Sequence, residues 1–84
     1  MNNMILLTVI APSVHLSMDL AVASMVTGTE LCKICALWIE EKSQKRYVAH
    51  SGSLLLRKRT ESVIIGEKTL KERKVENNEI FYLF

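Results

Sequence analysis

The chain has 84 residues, 49% of them apolar and 24% charged, with a formal net charge of +2 at pH 7. That length predicts one domain over residues 1–84 with a core just large enough to fold alone, and the apolar share excludes a disordered chain. The small net charge argues against a dedicated nucleic-acid binder, and no run approaches the ~18 apolar residues of a membrane span. The charge is unevenly placed. Residues 1–41 carry one Lys against four acids, whereas residues 42–74 carry ten Lys and Arg against three acids, which suits partners with an acidic face. An apolar start and the small residues Ala21-Val22-Ala23 resemble a secretory signal. Met1-Asn2-Asn3 brings no positive charge, however, and His15, Ser17 and Asp19 interrupt the stretch, so a cytoplasmic location is expected.

Residues 4–10 (MILLTVI) are short, apolar and partly β-branched, the pattern of a strand. Ala11-Pro12-Ser13 reads as a turn, because Pro fixes φ and donates no hydrogen bond to a ladder. Residues 14–22 alternate large apolar with polar or small side chains, a second strand that closes an N-terminal hairpin. Thr27-Gly28-Thr29-Glu30 fits a capping box. Leu31, Ile34, Cys35 and Trp38 then recur at helical spacing, with Lys33, Glu40 and Glu41 off the stripe. The spacing predicts a helix ending near Lys42 and anchored in the core by Trp38. Residues 43–53 read as a connecting loop. Residues 54–59 form a third strand, Thr60-Glu61 a tight turn, and residues 62–65 a brief fourth strand closed by Gly66. Residues 69–75 are too few for an independent helix and predict a turn or one 3₁₀ turn. Residues 80–84 make the last strand. The order β-β-α-β-β-β is an α+β roll.

Residue types that carry chemistry are scarce. Cys32-Lys33-Ile34-Cys35 has C-x-x-C spacing, but Cys32 lies past the helix start and Cys35 falls on the apolar stripe, so both read as packing residues. Only His15 and His50 could join them around zinc, from a strand and a distant loop, and no metal is expected. Two His and one Asp support no nucleophilic triad, and Gly28, Gly52 and Gly66 form no phosphate-binding loop. The sequence therefore predicts neither catalysis nor a cofactor. Arg57-Lys58-Arg59 with Lys71, Arg73 and Lys74 reads as a solvated charged face.

The element order, the segment Asp19-Leu20-Ala21-Val22 ending the hairpin, the helix over residues 30–39, Leu70 before the polar turn, and the ending Phe81-Tyr82-Leu83-Phe84 together resemble the ubiquitin fold, or β-grasp. Within it the pattern is similar to the YukD/EsaB family, small ubiquitin-like proteins of bacterial type VII secretion systems. That resemblance implies an accessory protein without catalytic residues. It would bind or regulate secretion-machinery components in the cytoplasm or on the cytoplasmic face of a membrane complex, without inserting into the bilayer. Conjugated ubiquitin-like proteins continue into a flexible tail ending in Gly-Gly, whereas this sequence ends on Phe84, so a non-conjugated binding module is expected. Two other readings stay open: a small nucleic-acid-associated regulator using residues 42–74, and a ubiquitin-like sulfur carrier or tag lacking its Gly-Gly tail.

The β-grasp implies a helix over one face of the sheet, with the terminal strand beside the first. Apolar residues occupy both parities of these two strands: Ile5, Leu7 and Val9 against Leu6 and Ile10, and Ile80, Tyr82 and Phe84 against Phe81 and Leu83. Whichever set is core, large apolar groups remain on the open face, and such patches mark binding surfaces. With Phe81 and Leu83 in the core, the expected protein-binding residues are Leu55, Arg57, Ile80, Tyr82 and Phe84. They would meet a protein partner or a second copy of the chain.

Overall fold

The computed structural model describes residues 3–84; the uncharged Met1-Asn2 start lies outside them. Strand β1 (Met4–Ala11) runs through a 3₁₀ turn (Pro12–Val14) into β2 (Leu16–Ala23). The helix α1 (Gly28–Lys42) follows, then β3 (Leu55–Arg57), β4 (Ser62–Val63) and β5 (Glu79–Leu83). The strands form one mixed sheet in the order β2-β1-β5-β3-β4, with β1 and β5 parallel at its centre. Pro12 supplies the first residue of the 3₁₀ turn, and His15 at φ 53° reverses the chain into β2. The hairpin is fully in register from Met4 opposite Ala23 to Ala11 opposite Leu16. Ile5, Leu7, Val9 and Ala11 of β1 are buried beneath the helix, as are Met18 and Val22 of β2. Phe81 and Leu83 join them in one hydrophobic cluster that draws on both ends of the chain.

The capping box predicted at Thr27 is present. Thr27 Oγ1 accepts from the Glu30 N–H at 3.2 Å, and Glu30 Oε1 accepts from the Thr27 N–H at 3.1 Å. The Thr27 amide, with its hydroxyl second, holds the Glu30 carboxyl below its ordinary range. Two further N–H groups of the helix start donate to the chain ahead of β5: Gly28 to Lys68 O and Thr29 to Gly66 O. Gly28 is required by this close approach, since a Cβ there would stand 2.8 Å from Ile64 Cγ2.

The helix corrects one expectation. Its buried stripe runs through Leu31, Cys35, Ala36 and Ile39, whereas Trp38 is 59% exposed. The stripe is rotated roughly 75° from the expected one through Leu31, Ile34, Cys35 and Trp38, at about 100° per residue. Small side chains at Cys35 and Ala36 let the helix settle close to the sheet, and the indole is left outside. Cys35 is fully buried, and burial, with the neighbouring Cys32 second, pushes its thiol up to about 12. Replacing both cysteines with Ala is expected to cost about 1 kcal/mol in urea melts, in the usual range for point changes. Native Cys35 should also resist alkylation at neutral pH until the protein is unfolded. Rapid modification of the native protein would place Cys35 outside the core.

The loop over residues 43–53 is pinned by Tyr47, which is buried. The Tyr47 hydroxyl lies 2.7 Å from Ser53 Oγ and 3.1 Å from Phe84 O, and its N–H donates to Ser43 Oγ at 3.0 Å. Asn77 and Asn78 make the turn into β5. Asn77 Oδ1 accepts from the Leu6 N–H, and Asn78 adopts φ 69°, a left-handed conformation that Asn tolerates. Thr69 to Val75 is a turn, as expected, closed by reciprocal hydrogen bonds between Thr69 and Glu72.

Candidate functional site

Strand register places the open face residue by residue. Residues directly paired across neighbouring strands share a face. Ile10 pairs with Tyr82, Tyr82 with Leu56, and Leu56 with Val63. These four apolar side chains form a row across β1, β5, β3 and β4, spanning ~14 Å at the ~4.8 Å strand spacing. On one side of the row stands Ile80, paired with Thr8. On the other, Leu54 and Phe84 exchange backbone hydrogen bonds of 3.0 and 2.8 Å and extend the row past the strand ends. Val63, Leu54 and Phe84 are 43%, 44% and 50% exposed, while Ile10, Leu56, Ile80 and Tyr82 are half-buried by one another. The β2 side of the same face is polar or small: Ser17, Asp19, Ala21 and Ala23, with Thr8 Oγ1 donating to Asp19 Oδ1 at 2.7 Å. The apolar patch is thus confined to the β1-β5-β3-β4 side.

Of the residues expected to bind a partner, Ile80, Tyr82 and Phe84 lie on this face. Leu55 and Arg57 do not. Leu55 is fully buried beneath the helix and Arg57 is 6% exposed on that same inner side. The open-face residues of the third strand are instead Leu54 and Leu56. The run Leu54-Leu55-Leu56 carries no alternation from which to choose a parity, and the charge on Arg57 suggested the wet side. What sequence reasoning missed is its partner. Glu79 shares the parity of core residues Phe81 and Leu83, and a buried acid on the neighbouring strand calls for a buried base.

That pair is bidentate. Arg57 Nε and Nη2 donate to Glu79 Oε1 and Oε2 at 2.6 and 2.7 Å, and Nη1 and Nη2 also donate to the carbonyls of Arg73 and Lys74. Glu79 Oε2 accepts from the Glu76 N–H at 2.7 Å as well. The hydrogen bonds from Arg57 are the main reason its carboxyl is held below the usual range. Arg57 is therefore a structural clamp that ties residues 73–79 to β3. The predicted solvated basic face is accordingly smaller than the sequence suggests. Arg57 is buried, Arg59 pairs with Glu76 at 3.1 Å, and Arg73 donates to the carbonyls of Ile65 and Lys68. Lys58, Lys71 and Lys74 are exposed.

Among the described residues, no three His, Cys, Asp or Glu side chains gather where a metal ion could sit, and no helix is long and apolar enough to cross a membrane. The arrangement offers apolar surface with a phenol at its centre rather than reactive groups.

Among solved structures, the chain is similar to the ubiquitin of Caldiarchaeum subterraneum, with a TM-score of 0.68 at 12% identity over 95% of this chain and 90% of that one. It is also similar to the N-terminal ubiquitin-like domain in the 4931431F19Rik protein, with a TM-score of 0.65 at 11% identity over 100% of this chain and 76% of that one. No family model and no curated protein matches the sequence. Likeness at this identity establishes the fold: a mixed five-stranded sheet packed on one helix, the ubiquitin-like β-grasp.

Proposed function

We propose that this ubiquitin-like domain is a protein-binding module that engages its partner through the row Ile10, Tyr82, Leu56 and Val63 on the open face of the sheet. The observation that carries this reading is the placement of large apolar side chains on the side of the sheet that no helix covers. A β-grasp needs apolar residues only on its inner face, and contiguous exposed ones favour a docking surface. Tyr82 is the natural anchor because it offers large area with few rotamers to freeze and a hydroxyl for the wet rim. Following the sequence resemblance to YukD/EsaB proteins, the partner would be a component of a type VII secretion machine, and the domain an accessory or regulatory factor at its cytoplasmic side.

Tyr82→Ala is expected to weaken partner binding by about 1–3 kcal/mol while the domain stays folded. Isothermal titration with purified cytoplasmic components of a type VII machine, run beside thermal melting, measures both quantities. Unchanged affinity in a folded Tyr82→Ala variant would remove the open face as the interface. Failure of every such component to bind would remove the secretion assignment.

A further inference from the structure

A cleft of about 430 Å³ opens between α1, the loop leading into β3 and residues 63–65. Its floor is apolar: Ala36, Leu55 and Ile64 are buried. Its rim is apolar as well, with Leu37, Leu54 and Ile65 exposed by 57%, 44% and 66%. Exposed aliphatic groups gathered around a buried aliphatic floor are the usual lining of a small-molecule site, and the volume falls in the range of such sites. The loop wall is braced without any ligand. Ala49 N–H donates to Glu40 Oε1 at 2.9 Å, the Tyr47 hydroxyl lies 2.7 Å from Ser53 Oγ, and Gly52 N–H donates to His50 Nδ1 at 3.0 Å.

The lining determines the chemistry of an occupant. No Phe, Tyr or Trp lines the cleft to stack on a flat ring, so its walls suit an alkyl chain. Lys33 is the one formally charged residue of the lining, which contains no acid. A lysine stem lies along apolar surface while its ammonium stays in water, which puts the charge at the mouth. Among the described residues Lys33 forms no ion pair. The acids on either side of it in the helix are engaged elsewhere: Glu30 accepts from the Thr27 N–H and Glu40 from the Ala49 N–H. His50 also lines the cleft. Because its Nδ1 accepts from Gly52, the neutral ring carries its proton on Nε2, a second donor. One cation beside a neutral donor matches a single carboxylate, whereas a phosphate calls for more positive charge.

We propose that this cleft binds a free medium-chain fatty acid, with its alkyl chain over Leu55 and Ile64 and its carboxylate paired with Lys33. The probe is decanoate below its micelle-forming concentration, titrated into isotope-labelled protein and followed by amide NMR shifts. Saturable shifts are expected over residues 32–37, 49–55 and 63–65. Affinity should rise roughly fourfold for each methylene added between hexanoate and decanoate. Lys33→Met keeps the stem and removes the charge, so it should weaken decanoate at least ~tenfold and leave decanol unchanged. Leu37→Gln, at an exposed helical position that leaves the fold intact, should weaken both by roughly fivefold. Leu54 and Val63 belong to the cleft and to the open-face patch, whereas Tyr82 belongs to the patch alone. Tyr82→Ala should therefore leave decanoate affinity unchanged, and failure of the open-face reading is distinguishable from failure of this one. No saturable shift, shifts centred on Tyr82, equal decanoate affinity in Lys33→Met, or shifts that begin only with micelles would each overturn the proposal. So would equal shifts with phosphatidylcholine vesicles free of fatty acid, because the occupant would then be a membrane lipid.

Discussion

Arg57→Ala is expected to destabilise the domain by about 3–5 kcal/mol, the cost of stranding a buried charge after its partner is removed. The substitution leaves the Glu79 carboxylate, with side-chain exposure of 7%, only the Glu76 N–H and the more distant Arg59 at 3.8 Å, and frees the carbonyls of Arg73 and Lys74. For so small a domain this is much of its total stability, and the variant should be largely unfolded at 37 °C. Arg57→Met combined with Glu79→Leu should recover part of the loss, since it strands no charge, though the two carbonyls stay unpaired. Acid adds a second signature. The Glu79 carboxyl has a folded pKa below its unfolded value of about 4.3, so its contribution is complete above that pH and is lost as pH falls through the folded pKa. Urea midpoints of the native domain should thus hold from neutrality to about pH 5 and fall below about pH 4.3, and the double variant should show a shallower fall. A stable Arg57→Ala domain with an unaltered acid slope would mean that the ion pair contributes little.

Phe81→Ala is expected to cost about 3–5 kcal/mol, the range for emptying the space of a buried Phe. Phe81 is fully buried on β5 at the centre of the sheet, paired with Val9 on one side and Arg57 on the other. β5 lies there between β1 and β3, beneath the helix. The next residue along the strand should behave oppositely. Tyr82 is half-exposed on the other face, and its truncation should leave the melting temperature near that of the native domain. Denaturant melts of the two variants read strand parity directly: if Tyr82→Ala unfolds the domain and Phe81→Ala does not, the faces are inverted.

Much of this fold was legible because its local signals agree with one another. The Thr27–Glu30 capping box, the alternation over β2 and the Pro12 turn each specify an element with a single geometry; the box stands where it was read, while the turn takes in Val14 and β2 begins at Leu16 rather than at residue 14. The order β-β-α-β-β-β follows from the same patterns, whereas the core placement of Phe81 and Leu83 rests on the family resemblance, because both parities of β5 are apolar. What failed were choices between equal alternatives. Leu54-Leu55-Leu56 offers no periodicity, so the face of β3 depends on long-range pairing with Tyr82, which sequence spacing does not encode. A tryptophan at stripe spacing looks like core until the helix settles on its small residues, Cys35 and Ala36. The charge on Arg57 misled for a related reason: the acid that makes its burial tolerable lies 22 positions away. The candidate site inherits these errors in part, keeping Ile80, Tyr82 and Phe84, losing Leu55 and Arg57, and gaining Ile10, Leu56 and Val63.

On the proposed function, the uncovered face of the sheet docks a protein partner. The most direct measurement is the affinity of the Leu56→Ala/Tyr82→Ala variant for a purified type VII secretion component that binds the native domain, with the variant's melting temperature measured alongside. The two side chains are paired neighbours at the centre of the row, so their joint loss should remove most of the anchor and lower affinity at least ~tenfold in a protein that still melts cooperatively. A folded double variant that binds as tightly as the native domain would remove the uncovered face as the docking surface.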